Sequence, residues 1–172
     1  MAELVFQYST STAFTSKIIR RLTHSQFSHI DLVLPEGLLG VSGKDKSIGD
    51  SGGVLVRKFG CWPYLFPPKL AHVQCSDEVQ KKTIDWAVSQ IGRPFDKKAL
   101  YHFLRERAGL KLIGRDWRDP NSWFCSEFQI RAAEIGGLFS YPLIVNKDVV
   151  SPQDTLLLFN PFMLADNIME FL

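Results

Sequence analysis

With 172 residues, 45% of them apolar and 22% charged, the chain has the make-up of a single globular domain, 1–172, and not of a disordered segment. A balance of 20 Lys+Arg against 18 Asp+Glu leaves a net charge of +2, which gives no global case for nucleic acid as a partner. Three cysteines without a CxxC pair exclude a disulfide framework and a zinc pattern, and no apolar run approaches the roughly 18 residues of a membrane span.

In chain order, "MAELVFQYSTST" lacks the charged start, long apolar core and cleavage site of a signal peptide, which predicts a cytoplasmic protein. Residues 3–8, "ELVFQY", read as a strand. "STSTAFTSKIIRRL" follows, with Ser/Thr caps ahead of Phe14, Ile18, Ile19 and Leu22, and predicts a short helix. "SHIDLVLPEG" is a strand running into a turn, and "LLGVSG" is its return strand. A glycine-rich loop, "GKDKSIGDSGG", leads to the strands "GVLVRKF" and "LAHVQC", joined by the irregular, proline-rich "CWPYLFPPK".

"SDEVQKKTIDWAVSQIG" is the clearest helix, capped by Ser76 and striped by Val79, Thr83, Trp86, Ala87 and Ile91. "DKKALYHFLRERAG" is the next. It opens a basic stretch, Lys97 to Arg118, with acids interleaved. That stretch reads as a solvated face, with an anion-binding rim as the alternative. "SWFCSEFQIRAAEI" is the third strong helix, closed by Gly136-Gly137, with a core stripe of Cys125, Phe128, Ala132 and Ile135. "VVSPQDTLLLFNPF" reads as an ordered arm or strand and "MLADNIMEFL" as a short amphipathic helix. Strand, helix, strands and then helices make an α+β order, with a small antiparallel sheet packed against helices.

Cys125 is the candidate nucleophile. With Asn121 or Ser122 as cap it falls in the first turn of its helix, where backbone dipoles favour negative charge and its own amide is free for an oxyanion. A buried core cysteine is the alternative. A thiol nucleophile needs a base, and His29 opens the strand "HIDLVL", a rigid place from which to aim a ring. Alternation puts Asp31 on the same face. Gln7, after "ELVF", is a candidate second oxyanion donor. Glu127 is a helix-start residue suited to pairing with Arg131.

Five pieces in order, "ELVFQYS", "THSQFSH", "IGRPFD", "WFCSEF" and "VVSPQD", span residues 3–154. Together they resemble the YiiX-like branch of the permuted papain-like, NlpC-type cysteine hydrolases, in which the histidine precedes the cysteine. The resemblance implies a permuted papain-like fold with the nucleophile at a helix N-terminus, Cys125 as nucleophile and His29 as base. It also implies a carboxylate on the strand after the histidine strand, to orient the imidazole. Here that strand has no acid. Ser42 is the nearest polar side chain, and Asp31, Asp45 and Asp50 are the other candidates.

The implied activity is hydrolysis of an amide in small peptides, including cell-wall-type peptides, through a thioester, with no metal or organic cofactor. Such a substrate requires delivery to the wall by another route. Two rival readings remain. One is a lipid acyltransferase or acyl hydrolase of the lecithin–retinol acyltransferase-like type, with membrane contact through "CWPYLFPP" and the apolar tail. The other is a non-catalytic binding module, motivated by the missing acid.

Overall fold

The structure is a computed structural model and describes residues 1–44, 51–110, 121–140 and 150–163. Among them, five strands form one open antiparallel sheet: β1 (Ala2–Ser9), β2 (His29–Leu34), β3 (Gly37–Ser42), β4 (Gly53–Arg57) and β5 (Lys69–Cys75), in the order β4-β3-β2-β1-β5. The helices are α1 (Phe14–Thr23), α2 (Asp77–Ser89), α3 (Lys97–Arg107), α4 (Cys125–Gly136) and α5 (Pro152–Phe159), which runs into a 3-10 turn, Asn160–Phe162. The class is α+β, as expected. No described helix is long and apolar enough to cross a membrane.

Period-two alternation decides which way each strand faces. Leu4, Phe6 and Tyr8 of β1 join Ile30, Leu32 and Leu34 of β2 in the main core, with Leu39 and Val41 of β3. Helices cover this face. Phe159 of α5 stacks on Phe6 with ring centroids 4.6 Å apart, and Tyr8 and Thr155 share a hydroxyl hydrogen bond of 3.1 Å. Gln129 of α4, fully buried, donates to the Leu39 carbonyl at 3.0 Å and ties the helix to β3. Beside it α2 and α4 pack closely, because a side chain at Gly136 would collide with Thr83. The alternate positions carry polar groups. Gln7 lies opposite Asp31 on β1 and β2, and the β2–β3 register continues that row to Gly40.

Several expectations change. Residues 152–159 are helix α5, not a strand or arm. Ser151 accepts from the Asp154 amide, the Asp154 carboxylate accepts from the Ser151 amide, and Pro152 sits in the first turn. Ile91 and Ile135, placed in core stripes by spacing, are 47% and 43% exposed, because each lies at or beyond the last turn of its helix. Arg131 pairs with Glu134 at 2.7 Å. The tail 164–172 and the loop residues 45–50 lie outside the described residues.

The capping box at α5 anchors the Phe159–Phe6 stack. Ser151→Ala removes one of its two reciprocal hydrogen bonds, and urea unfolding should show a loss of about 1 kcal/mol. An unchanged midpoint would mean that packing alone holds α5.

Candidate active site

The chain enters α4 extended, through Phe124 at φ −104° and ψ 151°. No side chain caps the helix. The expected caps, Asn121 and Ser122, lie too early, since Cys125 is itself the first helical residue. Backbone pairing does the anchoring instead. Trp123 and Phe95 form a parallel bridge, with the Asp96 amide donating to Trp123 O at 2.9 Å and the Trp123 amide to Pro94 O at 3.1 Å. Cys125 is 3% exposed and packs with Ile19, Ala99, Phe103 and Phe124. As first residue of a helix, its amide is one of those the helix leaves without an internal partner.

His29 begins β2, opposite Ser9 of β1, with its side chain 17% exposed. It shares a cavity lining with Cys125, whose thiol bears on the ring as a hydrogen-bonding and charged neighbour. Its Nε2 lies 2.9 Å from Asp31 Oδ1, which leaves Nδ1 as the nitrogen for the thiol. Burial works against a charged ring here. The charge and hydrogen bond of Asp31, then the hydrogen bond and charge of Cys125, work the other way and prevail, so that His29 is pushed up to about 10. The other histidines serve elsewhere. His24 ends α1 in the left-handed conformation at φ 51°, and His72 pairs with Glu3 at 3.2 Å.

Of the candidates expected to orient the imidazole, the structure puts Asp31 against the ring. Ser42, the nearest polar group on the following strand, takes a different place: its hydroxyl accepts from Arg57 Nη2 at 2.6 Å and donates to Gly43 O at 3.1 Å. The physical reason is a vacancy on β3. A Cβ at Gly40 would collide with Asp31 Oδ1, so the absent side chain makes room for the carboxylate from β2. Asp31 is fully buried, and Arg57, 4% exposed, places Nη1 3.9 Å from Oδ1. Arg57 is held in turn by the Gly53 carbonyl at 3.1 Å, and its guanidinium lies 5.9 Å from the Trp62 ring centroid. Asp45 and Asp50 lie outside the described residues.

Gln7 is buried, but its amide nitrogen donates to the Tyr64 hydroxyl at 3.0 Å. Tyr64, and not Gln7, lines the cavity that holds Cys125 and His29. Burial pushes the Tyr64 phenol up, so at neutral pH it keeps a proton to donate. The proline-rich segment between β4 and β5, read from sequence only as irregular, therefore supplies a wall of the site. Trp62 is 6.0 Å from His29 between ring centroids, and the Leu65 amide donating to Thr10 O at 2.9 Å pins the segment to the chain just past β1. The signal available in sequence was the clustering of Trp62 and Tyr64 on either side of Pro63, with Pro67 and Pro68 following, since prolines fix the backbone of a connection. The cavity measures about 450 Å³. Among the described residues, no group of three or more His, Cys, Asp or Glu is placed to hold a metal ion.

Comparison of the chain with protein-family models and with curated proteins finds no match.

A histidine raised to about 10 keeps its proton at pH 8, where an ordinary imidazole near 6.5 has lost it. Stability from the charged His29–Asp31 pair is full below about 6.5 and is lost as pH rises through about 10. NMR titration of the His29 ring should show this, and Asp31→Asn should move the midpoint down. A midpoint near 6.5 in the unaltered protein would contradict the arrangement.

Proposed function

We propose that the protein is a thiol hydrolase of amide bonds, with Cys125 as nucleophile, His29 as proton carrier and Asp31 as orienting acid. The supporting observation is that the His29 ring, 2.9 Å from a buried carboxylate, shares with the thiol at the start of α4 the lining of a cavity large enough for a small-molecule segment. The resemblance to the permuted papain-like, NlpC-type hydrolases points the same way. In this reading the sheet and α4 are that fold, with the acid moved from the strand after the histidine strand to the histidine's own strand.

In the proposed reaction the Cys125 sulfur attacks the amide carbonyl carbon, and the carbonyl electrons move onto oxygen. The Cys125 amide and the Tyr64 hydroxyl, which Gln7 orients, are the candidate donors to that oxygen. His29 gives its proton to the leaving nitrogen as the carbon–nitrogen bond breaks, leaving a thioester. Water then attacks the thioester, with neutral His29 taking its proton, and the carboxylic acid departs with the thiolate restored. Asp31 fixes the ring and favours the imidazolium at each stage.

A second reading, acyl transfer or hydrolysis on a lipid, is favoured by the apolar wall that Ile19, Leu100 and Phe124 give the cavity. A non-catalytic module loses its motive, because Asp31 occupies the acid's place beside the ring.

Mass spectrometry of the protein after exposure to muropeptide, peptide and acyl-ester probes tests the proposal. One class should leave an acyl adduct on Cys125, absent in Cys125→Ala. Acylation only by long-chain esters on vesicles would select the lipid reading, and no adduct from any class would contradict hydrolysis. With a turned-over substrate in hand, Tyr64→Phe should lower kcat by about 10²-fold, with KM little changed.

A further inference from the structure

The cavity joins two kinds of surface. Ile19 of α1, Leu100 of α3, Phe95, Phe124 and Val41 make an apolar wall near Cys125. Lys44, just past β3, and Lys97, the first residue of α3, also line it, and both are exposed. Among the described residues, no aspartate or glutamate lines it. Asp96, buried, caps α3 by accepting from the Ala99 amide at 2.8 Å, and Asp31 lies behind the His29 ring. Neither lysine forms an ion pair among the described residues, whereas on α2 Lys82 pairs with Glu78 at 2.6 Å and Lys81 with Asp85.

Among the described residues, a cationic ligand would therefore meet two ammonium groups and no carboxylate. A neutral one would leave both lysines unused. An anion would be attracted by both, and by a protonated His29 deeper in the cavity. The hydroxyls of Ser11 and Ser16, 2.8 Å apart on the same lining, can donate but carry no charge to oppose it.

We propose that this cavity recognises a ligand in which an anionic group, a carboxylate or a phosphate, is joined to an apolar segment. The apolar part lies on the Ile19–Leu100–Phe124 wall and the anion at the Lys44 and Lys97 rim. The inference rests on the reading of Cys125 as the reacting group only in taking this cavity as the substrate site. It deepens that reading by assigning a charge to the substrate.

The test asks which small molecules shield Cys125. Peptide-level mass spectrometry follows alkylation of Cys125 by neutral iodoacetamide with hexanoate, hexyl phosphate, hexanol or hexylamine present in turn. Hexanoate or hexyl phosphate should protect at a concentration about tenfold lower than hexanol, and hexylamine should protect least. The ratio of hexanoate to hexyl phosphate distinguishes a carboxylate site from a phosphate site. Each exposed lysine is expected to contribute up to about fivefold, so Lys44→Met and Lys97→Met together should remove most of the preference. Raising salt toward 1 M should reduce it as well. Equal protection by hexanol and the two anions, or a preference that survives in the double variant, would overturn the proposal. So would a Cys125 that iodoacetamide does not reach, because the thiol would not then open on this cavity. Protection by anions without turnover of any amide would uphold the recognition and count against the hydrolase reading alone.

Discussion

A carboxylate sealed inside a protein is costly unless charge and hydrogen bonding compensate it. Asp31 meets that requirement through His29 at 2.9 Å and Arg57 at 3.9 Å, and the site is arranged around this need. Its Oδ2 has no hydrogen-bond partner, so the compensation falls on Oδ1. Gly40 clears the space, β4 brings Arg57 across β3, and Ser42, the Gly53 carbonyl and Trp62 hold the guanidinium in place. Removing one partner of such a cluster leaves a buried charge exposed to the low-dielectric interior. The cluster is consequently a rigid base from which the His29 ring is aimed.

The second structural element of the site is the abrupt start of α4. Two backbone hydrogen bonds hold Trp123 against residues 94–96, and Phe124 follows it in extended conformation, so the helix begins at the thiol itself. That places Cys125 where helix amides are unpaired and the dipole is positive, within reach of a ring that favours its protonated form. The β4–β5 connection closes the arrangement. Trp62 packs near His29, and Tyr64, oriented by Gln7, faces the cavity. The same geometry that stabilises the buried acid also forms the cavity beside the thiol.

Much of this could be read from the residues. The alternation in "HIDLVL" puts Asp31 on the histidine's face, and the Ser76 cap marks the start of α2, where it accepts from the Val79 amide. The preference for Ser42 fails for a tertiary reason. Strand position identifies the polar group nearest the acid's place on β3, but not that the missing side chain of Gly40 admits a carboxylate from the neighbouring strand. Capping chemistry was legible at residues 151–154, where Ser-Pro-x-Asp has the spacing of a capping box, yet the apolar run after it has no clear helical face and suggested a strand. At α4 the reverse holds. Polar caps are available at Asn121 and Ser122, and long-range backbone pairing overrides them. Tyr64 and Trp62 enter the site through contacts across more than 30 residues, which no local pattern reveals.

The central claim is that Cys125 and His29 act as a coupled pair. The pH–rate profile of iodoacetamide alkylation, resolved for each of the three cysteines, tests it most directly. The account predicts that near pH 6 Cys125 reacts faster than Cys61 and Cys75, and that His29→Ala removes the advantage at that pH while the fold remains. An equal rate at all three thiols, or a Cys125 profile unchanged by His29→Ala, would contradict it and leave Cys125 as a core residue.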